Sequence, residues 1–307
     1  MVKFKTNVSL KSHTTFRIGG PAKYFFEAKK KEELIESLKI ARKNKTPFFI
    51  LGEGSNVLVQ DKGFKGLVVK LNAKHYTLNP NKLYAQAGVS FSTLVREAGK
   101  KGLAGLEWAG GLPGTLGGAV FGNAGAFGGE TKDTVIWIEA LDKDLKVRKF
   151  TKEQCQFGYR TSIFKKKRWI VLSAMMRLTP GDKKTIQAIA RSHIKQRKER
   201  GPLKYPNAGS IFKNCALSKV SKKTAKIFKE VIKKDPFPVI PAAAIIAKVP
   251  GLMGTKTGGA QVSTKHPNFI VNFGNAKSKD VLELIKLVKQ KVKAEFGVEL
   301  EEEVQLL

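Results

Sequence analysis

The sequence has little cysteine: two residues in 307, Cys155 and Cys215. They lie far apart, in no metal-ligand spacing. A disulfide scaffold and a zinc cluster are therefore excluded, no metal is expected, and the pattern fits a reducing, cytoplasmic compartment. Long apolar runs are also missing. None reaches the ~18–20 residues that a membrane helix needs, and the start, MVKFKTNVSLKSH, has no apolar signal segment. No membrane insertion is expected. Acidic residues are scarce, 25 Asp and Glu against 57 Lys and Arg, for a formal charge of +32. Such an excess raises the question of a polyanion partner. It is spread along the chain, however, and carries no zinc-finger spacing, basic zipper or RNP-like motif. A nucleic-acid partner is thus not expected. The charge reads as a lysine-rich surface, with attraction of a diphosphate substrate as a secondary effect.

One absence is local. No Lys or Arg occurs between positions 102 and 131, in a chain where nearly one residue in five is basic. Within that window lies 105–130, GLEWAGGLPGTLGGAVFGNAGAFGGE, with ten glycines of the 29 in the chain. Glycine loses the most freedom on folding, so so dense a run needs a reason. A solvated linker would lack Trp108, Leu112, Leu116, Val120, Phe121 and Phe127. The stretch reads instead as a buried loop whose bare N–H groups face a ligand, since such groups bind phosphate oxygens without lysine.

The remaining chain alternates short strands and helices. Segment 14–18 reads as a strand and Gly19-Gly20-Pro21 as a sharp turn; Arg17 is either a ligand contact or an ion-pair partner. A helix is predicted over 32–45, a strand over 48–51, and then the turn Gly52-Glu53-Gly54-Ser55-Asn56. That turn is a second candidate phosphate cradle, but a β-like segment follows it, so it is not a dinucleotide-binding Rossmann fingerprint. Strands are predicted over 66–71 and 83–89, a helix capped by Ser90 or Ser92, a hairpin over 135–150, a strand over 169–178 and a helix over 185–199. Beyond a boundary near Pro180-Gly181, helices are predicted over 218–234, 241–249 and 278–296. A strand-like tail covers 298–307. The clearest helix is 278–296, with Val281, Leu284, Ile285, Val288 and Val292 at the helical period and Gly297 as its stop.

Several separated motifs resemble those of the UDP-N-acetylenolpyruvoylglucosamine reductase (MurB) family, in that family's order. They are TTFRIGGPA from Thr14, LGEGSNVLV from Leu51, GLPGTLGGAVFGNAGAFGGE from Gly111, YRTSIFK from Tyr159, NAGSIFKN from Asn207, GGAQVSTKHPNFIVN from Gly258 and EEEVQLL from Glu301. The resemblance implies an α+β fold: a two-subdomain FAD-binding unit of the vanillyl-alcohol-oxidase (PCMH) type, plus a C-terminal α+β substrate-binding domain. The segments implied are 1–70, rejoined by 298–307, then 71–182, and 183–297 for substrate. It implies non-covalent FAD, NADPH as reductant, and reduction of UDP-N-acetylglucosamine enolpyruvate to UDP-N-acetylmuramate. The protein is expected to act as a monomer and to be of the shorter type that lacks an extra substrate-loop insertion.

Matched motif by motif, the resemblance places FAD on Leu51, Gly52, Gly54, Ser55, Asn56 and Val57, and on Gly111, Leu112, Pro113, Gly114, Gly117, Gly118, Asn123 and Ala124. It makes Arg160 the cation that polarises the substrate carboxylate, Ser210 the proton donor and Glu303 a second electrophilic group. Tyr159, Lys204, Tyr205, Asn214, Gln261 and His266 are expected at the substrate. On its own each catalytic candidate has an ordinary alternative: a surface ion pair for Arg160, a turn cap for Ser210, a solvated acidic face for Glu303. Strand alternation would put Glu301, Glu303 and Gln305 on one polar face. The chain departs from the family at Gln305, where Arg is usual, at Cys215, where Pro is usual, and at Gly122, where a larger residue is usual. A flavin oxidase with another substrate and a basic nucleic-acid-binding protein are the competing readings.

Overall fold

The computed structural model describes residues 2–234 and 237–307; Met1, Asp235 and Pro236 lie outside it. The chain divides into two compact units. The first comprises Met1–Val8, Lys23–Glu53 and Lys65–Glu199; the second comprises Ser9–Ala22, Gly54–Phe64 and Arg200–Leu307. These borders run differently from the three segments expected. All but the last residue of the helix Lys183–Arg200 falls with the first unit, and the C-terminal tail with the second.

In the first unit, Leu67-Val68-Val69 is apolar on both sides of the chain and fully buried. Such a run belongs inside a covered sheet. The strand Phe64–Leu71 accordingly lies between Pro21–Ala28 and Phe48–Leu51 in a four-stranded sheet whose other edge is Lys5–Ser9. It runs parallel to Phe48–Leu51. The helix Lys31–Lys43 buries Leu34, Leu38 and Ala41 in the same core. A five-stranded antiparallel sheet follows, in the order Val147–Thr151, Val135–Leu141, Ile170–Arg177, Lys82–Gln86, Tyr76–Asn79. The helices Phe91–Lys100 and Leu116–Gly122 bury Leu94, Val95, Ala98, Leu116, Ala119 and Val120 in that core.

The second unit is built on the helix Ser278–Phe296, which buries Val281, Leu284, Ile285, Val288 and Val292. Its core also takes in the strands Ala260–Val262 and Ile270–Asn272 and the short helix Ala242–Ala247. The N-terminus of the long helix is satisfied from elsewhere in the unit. The Asp61 carboxylate accepts from Ser278 N–H at 2.8 Å, Ser278 Oγ at 2.9 Å and Lys279 N–H at 3.2 Å. Burial alone would push the Asp61 carboxyl up, but these bonds and the Lys277 charge hold it below its ordinary 3.8. The stabilisation is therefore full above that ordinary value and is lost as pH falls through the lowered one. Asp61→Ala is expected to cost about 1–2 kcal/mol at neutral pH, as for a lost helix cap. Urea unfolding at pH 7 and at pH 3 checks this; the cost should shrink in acid.

Three expectations of local structure are corrected. Segment 14–18 is not a strand: Arg17, at φ 53°, returns its N–H to the Thr14 carbonyl at 3.3 Å, and Thr14 Oγ1 donates to Ile18 O at 3.4 Å. The predicted helix over 218–234 breaks into the turn Leu217–Lys219, the helix Lys222–Ile227 and the turn Lys229–Val231. Lysines at 219, 222, 223 and 226 repel at helical spacing. Ser221 starts a new helix by accepting from Thr224 N–H at 3.1 Å. The tail is a strand only at Gln305–Leu306, parallel to Val57–Leu58. A bend at Val304 breaks the alternation, and the Glu301 carboxylate is held by Lys213 and Lys219 at 3.2 and 2.8 Å. The polar face expected from Glu301, Glu303 and Gln305 is not formed. Among the described residues, no helix is long and apolar enough to cross a membrane.

Candidate active site

The glycine-rich stretch is wound, not open. Glu107–Ala109 forms a 3-10 turn, Thr115 caps the helix Leu116–Gly122, and Gly125–Ala126 pairs with Gly129–Glu130. Trp108 explains one glycine: a Cβ at Gly129 would stand 2.4 Å from its ring. A second close approach occurs at Gly117, where a Cβ would sit 2.8 Å from the Ala87 Cβ. Gly122 is different. A Cβ there meets nothing within 4 Å, so the family's larger residue has room.

Hydrogen-bond accounting separates the expected cradle residues. Leu112 N–H goes to Ala109 O at 2.8 Å, Gly117 N–H to Ala87 O at 2.9 Å, and Gly118 N–H to Thr115 Oγ1 at 3.4 Å. Gly114 N–H is taken by the Glu53 carboxylate at 2.8 Å. These amides serve the loop itself. The N–H groups of Gly52, Glu53, Gly54, Asn56 and Gly111 have no acceptor among the described residues. Gly54 holds φ 66° and Gly111 φ 71°, and a Cβ at Gly52 would lie 2.7 Å from Thr115 Oγ1. A diphosphate needs such backbone donors, and within the first unit Gly52, Glu53 and Gly111 fit one. Leu51 is buried at the end of its strand, and Val57 pairs with Gln305.

Asn123 and Ala124 have polar groups engaged within the protein. Asn123 is fully buried at φ 44°. Its Nδ2 donates to Glu130 Oε2 and to Gly158 O, each at 3.1 Å, and its Oδ1 accepts from Lys132 N–H at 3.1 Å. Ala124 N–H is spent on Ala119 O, and its carbonyl accepts from Thr131. The Gly158 carbonyl that Asn123 holds belongs to the tight turn carrying Tyr159 and Arg160. Gly158 and Thr161 exchange N–H···O bonds of 3.0 and 3.2 Å across it, and Arg160 sits at φ 54°. Arg160 Nη2 donates to Gly125 O at 3.0 Å, and the guanidinium lies 5.1 Å from the Tyr159 ring. A bulky residue in the left-handed region is costly. The turn therefore spends stability on aiming this guanidinium.

Sequence reasoning missed Arg197. It belongs to the helix Lys183–Arg200, of which Ile186 is the buried residue. Its Nε donates to Gly110 O at 2.8 Å, and its guanidinium lies 5.1 Å from the Phe127 ring. Burial, and after it the Arg160 charge, lower its pKa below the ordinary guanidinium value. Its run, KQRKER, reads as a solvated charge cluster, and no pattern in it marks one arginine as inward.

In the second unit, the chain around Ser210 is pinned on both sides. Gly209, at φ 76°, donates to Asn207 Oδ1 at 3.0 Å, and Ile211 N–H and Phe212 N–H go to Asn268 O and Oδ1 at 2.8 and 3.0 Å. The Ser210 hydroxyl has no hydrogen-bond partner among the described residues. Glu303 is brought beside it by the backbone: Glu303 N–H donates to Ile211 O at 2.7 Å. Asn56 fixes the same segment. Its Nδ2 donates to Glu303 O at 3.2 Å, and its carbonyl accepts from Gln305 N–H at 3.0 Å. Part of its role is thus to hold Glu303.

The expected substrate residues divide. Tyr205 faces Phe273 at 5.1 Å between ring centres, with Lys204 5.7 Å from the Tyr205 ring and Lys256 4.4 Å from the Phe273 ring. Phe273 and Lys256 escaped sequence reasoning, because a lone exposed Phe and Lys carry no signal. Together the four make an aromatic, cationic patch suited to a base and its phosphates. Gln261 Nε2 donates to Gly254 O at 3.1 Å, and Asn214 Oδ1 accepts from Ala242 N–H at 3.2 Å. His266 packs edge-on against Phe269, and burial lowers its pKa from 6.5, so it is neutral at pH 7.

Comparison with known proteins agrees along the whole chain. A family model described as UDP-N-acetylenolpyruvoylglucosamine reductase, C-terminal domain, matches residues 201–307, and one described as FAD binding domain matches 22–151. The UDP-N-acetylenolpyruvoylglucosamine reductase of Caldanaerobacter subterraneus subsp. tengcongensis is 40% identical over 99% of this chain and 94% of that protein. That of Syntrophomonas wolfei is 39% identical over 99% and 95%. The crystal structure of UDP-N-acetylenolpyruvylglucosamine reductase (MurB) from Thermus caldophilus is similar with a TM-score of 0.77 and 32% identity, covering 100% of this chain and 99% of that one.

Proposed function

Because the chain belongs to the UDP-N-acetylenolpyruvoylglucosamine reductase family, we propose that it is an FAD-containing, NADPH-dependent reductase. Its substrate is the enolpyruvyl ether of UDP-N-acetylglucosamine and its product UDP-N-acetylmuramate, a precursor of peptidoglycan. The structural observation that carries this reading is the set of amides at Gly52, Glu53 and Gly111 left without acceptors among the described residues in glycine-rich turns of the first unit. They would hold the cofactor diphosphate. FAD, when bound, supplies the two-electron chemistry that links the nicotinamide to the enolpyruvyl double bond. The methylene carbon gains the hydride, and negative charge develops at the neighbouring carbon and its carboxylate. Arg160 forks onto that carboxylate, a task guanidinium suits because it stays charged and planar. Glu303 acts beside it at the developing charge, and the Ser210 hydroxyl delivers the proton to the carbon. Tyr205, Phe273, Lys204 and Lys256 receive the uridine diphosphate. A cytoplasmic setting follows from the substrate and is consistent with two free, buried cysteines.

The purified protein is expected to be yellow, with a flavin that acid releases, and to oxidise NADPH only when the enolpyruvyl UDP-sugar is added. Colourless protein that takes up no FAD sinks the reading. NADPH oxidation that depends on oxygen and ignores the UDP-sugar points to a flavin oxidase instead.

A further inference from the structure

A cavity of about 430 Å³ lies in the first unit between the start of the helix Lys31–Lys43 and the five-stranded sheet. None of the residues expected at FAD or substrate lines it. Strand alternation decides what the sheet offers there. Ser173 stands opposite Gln86 on one neighbouring strand and Glu139 on the other, so the three side chains share a face, and all three residues line the cavity. Ser173 is 2% exposed, and its Oγ has no hydrogen-bond partner among the described residues. A buried hydroxyl left in that state is costly and calls for a partner. Gln86 Oε1 accepts from His75 N–H at 3.0 Å, which leaves the Nε2 donors for the cavity. The helix start supplies more donors. Lys29 and Lys30 N–H go to Glu33 Oε2 at 2.8 and 3.2 Å, but Lys31 and Glu32 N–H have no acceptor among the described residues. Lys31 Nζ neutralises Glu139 at 3.3 Å, while Lys29 and Lys30 have no ion pair among the described residues. Glu32, the other acid of the wall, is exposed. Tyr84 closes one side, its ring centre 6.3 Å from that of His75 and 6.2 Å from that of Trp137.

We propose that this cavity is a binding site for a phosphate group, separate from the amides at Gly52, Glu53 and Gly111 that fit the cofactor diphosphate. The phosphate sits at the helix start, where the Lys31 and Glu32 amides and the helix dipole favour an anion. It accepts from the Ser173 hydroxyl across the cavity and draws in the Lys29 and Lys30 ammoniums. Ser173 is what raises the helix start to a site, because strand register and burial hold its hydroxyl toward the cavity with no other partner. The volume is that of a small-molecule cleft, and the Tyr84 ring offers a surface for the body of a phosphate ester.

The test uses FAD-loaded protein with saturating UDP-N-acetylglucosamine, so that the cofactor and substrate diphosphate sites are filled. Inorganic phosphate and phenyl phosphate are the probes, and calorimetry reads their affinities. Both are expected to bind. Tighter binding of phenyl phosphate assigns the site to a phosphate ester, and equal binding assigns it to the free anion. Ser173→Ala is expected to weaken both probes about tenfold, the loss of a charge-assisted bond at a buried position. It removes an unsatisfied group, so its urea unfolding midpoint should stay at or above that of wild type. Lys30→Gln, at an exposed position, should weaken both about threefold. FAD content and substrate-dependent NADPH oxidation should be unchanged in both variants. No binding of either probe, or binding that neither substitution weakens, overturns the proposal. So does a Ser173→Ala variant whose weaker binding comes with a lowered unfolding midpoint, which would show the hydroxyl to be structural.

Discussion

Ser210→Ala is expected to separate the two halves of the reaction. NADPH should bleach the flavin at the wild-type rate, while reoxidation by the enolpyruvyl UDP-sugar should slow by about a hundred- to ten-thousand-fold, the range for removing a positioned proton donor. The structure supports so large an effect because the serine is prepared for little else. Its hydroxyl has no partner among the described residues, so it caps no turn. Asn207 and Asn268 fix the backbone on either side of it, and the Glu303 N–H locks onto the next carbonyl, Ile211 O, at 2.7 Å. Removing one oxygen disturbs none of those bonds, so stability and FAD content should not move. A free serine is a weak acid, which makes its surroundings part of the prediction. Ser210→Cys, with a more acidic group at the same position, should recover part of the reoxidation rate. Anaerobic stopped-flow measurement of each half decides the matter. Reoxidation of the alanine variant within about threefold of wild type would remove Ser210 from the donor role.

What the sequence announced, and what it hid, follows the range of the forces involved. The helix Ser278–Phe296 is legible to the residue because its apolar period, its stop at Gly297 (φ 65°) and its length are all local. So is Phe48–Leu51, an apolar run between Pro47 and Gly52. Segment 14–18 misled because Thr-Thr-Phe-Arg-Ile has strand-like composition, whereas its conformation is set from afar. Thr15 N–H reaches Gly54 O at 3.2 Å, Thr15 Oγ1 reaches Asn207 O at 2.7 Å, and Gly20 N–H reaches Gln60 O at 2.9 Å. The expected site residues divide in the same way. Arg160, Ser210 and Glu303 stand in motifs, and motif order alone picked them out. Arg197 stands in a charge run, and its inward pose depends on Gly110, 87 positions earlier. Motif membership also conceals which atoms act. Gly117 and Gly118 read as phosphate donors, but their amides close the loop on itself. Within the first unit the amides left without an acceptor among the described residues are those of Gly111, Gly52 and Glu53, which only a full account of the hydrogen bonds reveals.

Asn123→Ala is expected to be among the most destabilising single substitutions in the first unit, at about 3 kcal/mol. The side chain makes three bonds with no exposure to water, so truncation removes the acceptor of the Lys132 N–H and strips one donor each from Glu130 and from the Gly158 carbonyl, which keeps only the Thr161 N–H. Each buried group left unsatisfied costs about 1–3 kcal/mol, partly recovered by relaxation. Alanine also tolerates the left-handed backbone at φ 44° less well than asparagine, adding about 1 kcal/mol. The second consequence is functional. Asn123 anchors the turn that aims Arg160, so substrate reduction should slow about tenfold in the molecules that stay folded, with NADPH-driven flavin reduction retained. Asn123→Gly separates the two contributions: it restores backbone freedom but none of the bonds, and should remain destabilised by about 2 kcal/mol. Urea unfolding, FAD content and the two half-reaction rates measure each part. If instead both variants lost FAD while their unfolding midpoints matched wild type, Asn123 would be a cofactor contact after all, and the positioning role assigned to it would be wrong.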